Sequence, residues 1–319
     1  MLKGGSMSNR TISGRCKLAA LIGLLISSTA LTDDNLDAEF NPLLSRYDAN
    51  KLSAGTQIDS SNIADYRNWL DDSVADLIGH NALTLTIGPS LEIPIHPNYR
   101  KASRENLGAT MIGDAPGELF GYTGGRPFLK LEDSDPQAGL KAAWNMRYSY
   151  APDETETEQF NWHYRDMRKD NIERTLKMYG ALLRYKYRHT DKPIPALENN
   201  PSNLYTALYL QVKAPQDIRN TQLLIHRNEV DSVTEQAWMY MSSQRRVRRL
   251  ATGQKTDAFL GSDIMIEDFL GYNGRIMDMD WQYLGSDELL LPIYGHSQLT
   301  SWQEPPDESG FQLIEFSGA

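Results

Sequence analysis

Histidine with nearby carboxylates is the combination in this sequence that best suits acid–base chemistry. His163 lies between Glu158 and Asp166 in the chain, so a carboxylate could orient the imidazole while it takes up a proton. This spacing supports a hydrolase hypothesis. An acidic chain brings such residues together by chance, however, and this is the weakest of three functional hypotheses. We therefore predict that the protein is not an enzyme.

Motifs for metals and cofactors do not occur in the sequence. The six histidines have no spacing that would place two metal ligands on one helical face, and a single cysteine excludes cysteine-based zinc modules. There is no GxSxG, P-loop or GxGxxG motif. The glycine-rich run at 121–125 is followed by Arg126 and Pro127, which break a phosphate-binding helix start. We predict neither a metal nor a cofactor.

The strongest charge cluster is the segment QRRVRRL at 244–250. In a strand, Arg246 and Arg248 share one face with Leu250. Two interpretations stay open: a solvated face with ion pairs to the many carboxylates, or an arginine pair at the mouth of a cavity that holds an anionic head group. Nucleic acid is excluded as a partner, because the net charge is −10 and no aromatic residues alternate with the arginines.

Length and composition limit the class of protein. The 319 residues suffice for one large domain or two ordinary ones. A hydrophobic fraction of 40% and a charged fraction of 23% exclude a disordered acidic protein and a multi-span membrane protein. Composition therefore indicates a soluble globular protein and does not indicate a function.

Strands that could enclose a cavity are predicted in the second half of the chain. Segments with alternating side chains, separated by turn residues, predict an antiparallel meander; they lie at 178–190, 203–215, 221–228, 235–241 and 245–250. Leu208, Leu210 and Val212 fall on one face of their strand, yet the other face is partly apolar too. Such a strand lies between two layers or lines an apolar cavity. The acidic residues at 153–158 predict a turn before the meander.

Helices are predicted ahead of these strands. Residues 63–79 keep helical spacing after a run of capping residues, and residues 136–151 would bury Leu140 and Trp144 on one side. Between them, residues 108–127 contain many glycines and predict a long loop.

Residues 1–30 have the pattern of a cleavable secretory signal. Four basic residues precede an apolar run at 18–31, and Ser28 and Ala30 suit the cleavage site. The run would span only about 21 Å as a helix, less than the roughly 30 Å of a bilayer core. An amphipathic or buried N-terminal helix is the alternative. We expect a protein of the periplasm.

Several blocks of sequence resemble a known envelope family. In chain order, they are similar to the proteobacterial family called domain of unknown function 1329, whose members are often labelled outer-membrane lipoprotein-sorting proteins. The resemblance covers about residues 35–295, which is most of the chain after the predicted signal. The blocks are FNPLLSRYDANKLSAGTQIDSSNIADYRNWL, IPIHPNYR, GRPFLKLEDSDPQAGLKAAWN, AWMYMSSQRRVRRL, FLGSDIMIEDFLG and DMDWQYLGSDELLLPIY.

The resemblance implies a fold like that of periplasmic lipoprotein carriers. We expect an α+β protein with a curved antiparallel sheet that forms an incomplete, half-open β-barrel, with helices packed on its open side. One such domain would span residues 31–295. Family members usually continue with further strands, whereas residues 296–319 form a divergent tail. We therefore expect a C-terminally truncated member, or a partner that supplies the missing strands.

The resemblance also implies a function in handling lipids, lipoproteins or other hydrophobes, beside exporters of the resistance-nodulation type. We expect a periplasmic carrier or binding protein for such a ligand. The alternative is a docking module for an envelope exporter or outer-membrane protein, which would bind through an exposed sheet edge. The predicted cavity residues are Leu208, Leu210, Val212, Trp238 and Tyr240, with Arg246 and Arg248 at the mouth and a lid that contains Phe259, Asp263 and Phe269.

Overall fold

The computed structural model of the chain describes residues 52–88, 95–166, 168–169, 171–251, 257–269, 271–287 and 289–291. The predicted signal segment at 1–30 and the predicted tail at 296–319 lie outside these residues. Within the described ranges, no helix has both the length and the apolar character needed to cross a membrane.

Among the described residues before the main sheet there are four α-helices and two pairs of short antiparallel strands. Helix α4 confirms the helix predicted at 136–151, and a two-strand hairpin lies in the loop predicted at 108–127. The elements are β1 (Gln57–Ile58), α1 (Ile63–Tyr66), α2 (Asp72–Gly79), β2 (Leu85–Thr86), α3 (Pro97–Glu105), β3 (Met111–Ile112), β4 (Leu119–Phe120) and α4 (Ala138–Arg147).

The single helix predicted at 63–79 is divided in two. A short 3-10 turn, Arg67–Trp69, follows α1, and Leu70 then adopts extended backbone angles. Asp71 starts the next helix, because its side chain accepts a hydrogen bond from the N–H of Ser73. The predicted helical spacing is present, but a capping aspartate in its middle restarts the helix.

A six-stranded antiparallel sheet forms the rest of the described fold. Its strand order is β10-β9-β8-β7-β6-β5, so each strand pairs with its neighbour in sequence. The predicted antiparallel meander is confirmed, and the sheet is not closed. The strands are β5 (Glu154–Asp166), β6 (Asn171–Arg184), β7 (Leu204–Ala214), β8 (Gln222–Asn228), β9 (Gln236–Met241) and β10 (Arg246–Leu250).

Strand β5 replaces the turn predicted at 153–158, and that prediction was wrong. Glu154 pairs with Leu183 and Glu156 with Ala181 at one end of the β5–β6 ladder. Because β5 is an edge strand, its glutamates remain in contact with water, and charge on an edge strand opposes pairing with other proteins. The acidic composition therefore reflects the strand's position at the edge rather than a turn.

The two faces of the sheet differ in what covers them. On the covered face, side chains from all six strands pack in one cluster with residues 259–269, which we call the plug. Phe259 and Ile266 of the plug are each 4% exposed. The buried strand residues of this face are Leu176, Met178, Leu210, Val212, Leu223, Ile225 and Ala237.

The open face is the opposite side of the sheet. It carries a half-buried apolar and aromatic set, and none of the four buried hydrophobic clusters among the described residues lies on it. Its members are Tyr179, Ala181, Leu183, Ala207, Tyr209, Leu224, His226, Trp238 and Tyr240.

The helices do not all pack in one place. Helix α2 contributes Ala75 and Ile78 to a cluster with Ile58 and Ile87, beside the paired strands β1 and β2. Helix α4 instead packs against the start of β7, where Trp144 contributes to the cluster around Tyr205. The α+β class with a large open antiparallel sheet is therefore established, and the carrier-like half-barrel remains a prediction.

Candidate functional site

A cavity of about 290 Å³ lies on the covered face, between α4 and the ends of β6, β7 and β8. The strands supply Leu182, Arg184, Tyr205, Thr206, Leu208, Ile225 and Arg227. The opposite wall comes from two segments. The end of α4 and the residues after it supply Met146, Arg147, Ser149, Tyr150 and Ala151, and a later loop supplies Tyr272 and Asn273.

The sheet register arranges the strand residues of this cavity in two rows. Arg184 lies opposite Thr206, which lies opposite Arg227 on the next strand. We call these three residues the guanidinium row. Two residues along each strand, an apolar row follows, formed by Leu182, Leu208 and Ile225. Since side chains two apart on a strand point to the same face about 7 Å apart, the cavity changes from cationic to apolar within a short distance.

Arg184 is a buried cation with long contacts. Its side chain is 6% exposed; its Nε lies 3.9 Å from Asp153 Oδ1, and its Nη1 lies 3.5 Å from His189 Nδ1. The Nε group makes no hydrogen bond. Good N–H···O hydrogen bonds measure about 2.7–3.2 Å, so the contacts of Arg184 leave hydrogen-bonding capacity unused.

Asp153 is committed to the backbone beside Arg184. Its Oδ2 accepts hydrogen bonds from the backbone N–H groups of His189 at 2.6 Å, Thr190 at 2.6 Å and Asp191 at 3.0 Å. Burial alone would raise the pKa of Asp153, but these hydrogen bonds and nearby His189 hold that pKa below its ordinary value. Asp153 is therefore ionised, holds the backbone at 189–191 in place, and makes only a long contact with Arg184.

Arg227 is the second cation of the guanidinium row. Its side chain is 9% exposed, and its Nη2 lies 3.4 Å from Glu235 Oε1. Burial, with the nearby charge of Arg147, lowers the pKa of Arg227 to about 10, so the side chain stays protonated at neutral pH. Its Nε, like that of Arg184, makes no hydrogen bond.

Arg147 has a different role, because it fixes the cover of the cavity. It forms a buried ion pair with Asp231 and donates from Nη2 to the carbonyl of Asn228 at 3.0 Å. Asp231 also accepts from the backbone N–H groups of Ile276 at 3.0 Å and Met277 at 2.9 Å. One carboxylate therefore ties α4 and the segment near residue 276 to the end of β8.

A β-bulge places an aromatic ring between two of these cations. The β7–β8 register shifts between Leu204 and Thr206, so Tyr205 and Thr206 line the same cavity although they are consecutive. The Tyr205 ring lies 5.7 Å from the guanidinium carbon of Arg147 and 5.7 Å from that of Arg184. These are cation–π contacts that stabilise buried arginine.

Leu208 is the predicted cavity residue that lines this cavity. Leu210 and Val212 lie on the same face, but they are buried in the core beneath the plug. Phe259 and Phe269, which we expected in a lid, both pack on Trp162 of β5 at 6.0 Å between ring centres. The segment predicted as a lid is therefore packed into the core of the covered face.

The other predicted residues lie away from the cavity. Trp238 and Tyr240 belong to the open face, because Trp238 pairs across the sheet with Leu224 and Tyr240 with Gln222. The prediction that they share one cavity with Leu208 was wrong, because Leu208 lies on the opposite face of the sheet. Arg246 and Arg248 are exposed on the edge strand β10, and Asp263 is exposed in the plug.

The predicted acid–base group does not assemble into one site. The Nδ1 of His163 lies 2.8 Å from the Thr175 hydroxyl. Asp166 instead accepts from the backbone N–H groups of Arg168 and Lys169 in the β5–β6 turn. Across the residues that the structure describes, no group of three or more His, Cys, Asp or Glu is arranged to hold a metal ion.

Arg184 and Arg227 were not predicted as site residues, although the sequence contains a signal for them. Each arginine stands two residues after an apolar residue of the covered face, Leu182 or Ile225, and so continues the apolar alternation of its strand. A charge in the buried register of a strand indicates a buried polar site. The run RRVRRL attracted attention by density alone, whereas position in the alternation was the better guide.

Comparison with known proteins identifies the family. Residues 57–310 match the family described as "Protein of unknown function (DUF1329)". An uncharacterized protein of Pseudomonas aeruginosa is 24% identical over 258 residues, which are 74% of this chain and 50% of that protein. The chain thus spans half the length of this curated relative.

A solved structure of a DUF1329 family protein from Desulfovibrio piger is 17% identical, covers 48% of this chain and 57% of its own, and gives a TM-score of 0.37. The family match extends over more than half of the chain and agrees with the blocks recognised in the sequence. The chain therefore belongs to the DUF1329 family.

Proposed function

We propose that this protein is a non-enzymatic carrier or binding protein for a lipid, a lipoprotein acyl chain or another hydrophobic ligand. The observation that carries the proposal is the apolar row, Leu182, Leu208 and Ile225, which faces an unfilled volume of about 290 Å³. Small-molecule pockets begin at about 300 Å³ and are mostly apolar with a few placed polar groups. The cavity matches that description at its small end.

Burial of apolar surface would supply the binding energy. Each methylene group that leaves water contributes about 0.8 kcal/mol, so no covalent step is needed. The plug closes the covered face beyond the apolar row, with Phe259 packed on Trp162. Movement of the plug would lengthen the cavity for a longer chain and provide a route for release.

We propose the periplasm as the compartment, because residues 1–30 have the pattern of a secretory signal. An envelope exporter of the resistance-nodulation type is a proposed partner, on the family resemblance alone. Both proposals are tested on the full chain secreted from a bacterial host, by the mature mass and by crosslinking.

The carrier proposal is tested by native mass spectrometry of the secreted protein, with organic extraction, and by titration with 1-octanol. Leu208→Gln puts an amide on the cavity floor, and we expect it to weaken octanol binding by about tenfold or more. Leu224→Gln is the matched control, since Leu224 is a half-buried leucine of the open face. Absence of any bound apolar species and of octanol binding in the wild-type protein would overturn the proposal.

A docking module is the second candidate, and a different observation favours it. The open face carries half-exposed aromatic residues beside a shallow hollow of about 410 Å³, lined in part by Ala181, Ala207 and Tyr209. Under this candidate, Trp238→Glu removes a crosslinked envelope partner that Leu208→Gln retains. Recovery of no specific partner from crosslinked periplasm counts against it.

A further inference from the structure

We propose that the ligand of this cavity is an amphiphile with an anionic head group, a carboxylate or phosphate, which Arg184 and Arg227 bind while its tail lies on the apolar row. The inference rests on the proposed function and names the chemical class of the ligand. It assigns the head group to the guanidinium row and not to the exposed arginines of β10.

The guanidinium row and the apolar row lie next to each other along the strands, in an order that would fit an amphiphile. Arg184, Thr206 and Arg227 cross three adjacent strands, and the apolar row lies immediately beside them on the same face. Neighbouring strands are about 4.8 Å apart, so Arg184 and Arg227 lie two strand spacings apart on either side of Thr206, and an oxyanion above Thr206 would lie between them. A molecule with one charged end and one apolar end matches this order.

The two arginines have unused hydrogen-bond donors, which supports an anionic ligand. A guanidinium has five N–H donors and binds carboxylate or phosphate through paired hydrogen bonds. Arg184 contacts Asp153 only at 3.9 Å, and Arg227 contacts Glu235 at 3.4 Å. In a buried site a cation with loose partners is costly, and a bound oxyanion would supply the missing acceptors.

Arg147, a third arginine of the cavity, disfavours a ligand with a cationic head group. Arg147 also lines the cavity, although Asp231 neutralises it, and Tyr205 lies between Arg147 and Arg184. A cationic head group would face three guanidinium groups. A free inorganic anion would leave the apolar row without a partner, so it would gain only the electrostatic part of the interaction.

The first experiment compares three probes on the full wild-type chain by calorimetric titration: octanoate, 1-octanol and acetate. We expect octanoate to bind at least about tenfold more tightly than octanol, as a charge-assisted hydrogen bond predicts. Acetate, which has the head group without the tail, should bind far more weakly than octanoate. This comparison needs no variant and therefore does not depend on how a substitution affects folding.

The second experiment uses Arg184→Gln and Arg227→Gln, with thermal unfolding to establish that each variant folds. Each should bind octanoate about as weakly as octanol, with a larger loss of affinity for octanoate than for octanol, because the hydroxyl head group carries no charge. Arg184→Lys should retain part of the preference, because it keeps the charge and loses the paired donors. Arg248→Gln is the matched control, since Arg248 is an exposed arginine of the same sheet.

The outcomes separate the two proposals. If octanol binds and octanoate binds no more tightly, the anionic-head inference is overturned and the carrier proposal stands. If neither binds, the anionic-head inference is overturned, and the carrier proposal falls with it when the secreted protein also carries no bound apolar species. If acetate binds as tightly as octanoate, the site takes a free anion and the amphiphile is excluded. Equal loss of preference in Arg248→Gln would assign the effect to surface charge and overturn the role of the guanidinium row.

Discussion

The two faces of the sheet are made from the same strands and both carry apolar side chains, but they have different surroundings. Leu210 on the covered face is 5% exposed, whereas its neighbour Tyr209, on the open face, is only half-buried. The covered face has a plug at one end and a cavity under α4 at the other. The open face has cross-strand aromatic contacts, such as His226 with Trp238 at 5.1 Å between ring centres.

Strand composition alone therefore does not determine which face becomes a core. The plug and α4, which come from segments on either side of the meander in sequence, determine it. The cavity lies where these two covers do not meet. We expect substitutions on the two faces to differ in both stability and ligand binding.

The largest expected difference in stability lies between adjacent residues of β7. Leu210→Ala should lower the free energy of unfolding by about 2–5 kcal/mol, because it opens a cavity in the packed core. Tyr209→Ala should cost about 1 kcal/mol or less, since it removes a cross-strand contact on a half-exposed surface. Urea unfolding of both variants measures the difference. Equal losses would mean that the open face is as well covered as the other face in solution.

The second comparison uses pH and two histidines. Burial first, and then nearby Arg184, lowers the pKa of His189 below 6.5, while burial alone lowers the pKa of His226. Since the unfolded state then binds a proton more readily than the folded state, stability falls as pH drops below about 6.5. His189→Gln should flatten this dependence more than His226→Gln, because His189 is the more deeply buried.

Urea unfolding at pH 7.5 and at pH 5.5 gives the slopes for the wild-type protein and both variants. A wild-type protein that is more stable at the lower pH would contradict the direction. An unchanged slope in His189→Gln would show that other groups cause the dependence.

The smallest expected effect is that of Trp238→Glu on ligand binding. Trp238 lies on the open face, so the affinity for octanol should stay within about twofold of the wild-type value, and the stability should fall by about 1 kcal/mol or less. Titration with octanol and thermal unfolding measure the two quantities. A tenfold loss of affinity would mean that Trp238 contacts the ligand, as its apolar strand pattern first suggested.

Strands and faces differed in how well the sequence predicted them. Strands β7 to β10 and helix α4 follow from alternation, helical spacing and turn residues, whereas the strand predicted at 178–190 is β6, at Asn171–Arg184. Strand β5 was missed because its edge position permits glutamates at alternate sites. In β9, Ala237 and Met239 face the core while Trp238 and Tyr240 face outward. Both sets are apolar, so alternation identified the strand but not its buried side.

The site was harder to predict than the fold, because it depends on register between distant segments. Leu208 was found from its strand alone. Arg184 and Arg227 form a row only through pairing with Thr206, and the position of α4 above them depends on Asp231. No single segment contains that information. The local sign of this site is an arginine at a position of a strand whose side chain is buried.

The contacts of Asp231 have a consequence for the order in which the chain folds. Each strand of the meander pairs with its sequence neighbour, so the sheet forms through contacts that are close in sequence, and only the connection 185–203 between β6 and β7 is long. Asp231 instead joins Arg147, 84 positions earlier, to Ile276, 45 positions later. We expect the sheet to form first and the cavity's cover to dock late. Before the cover docks, the apolar side chains of the covered face would be exposed to water, and exposed apolar surface favours aggregation.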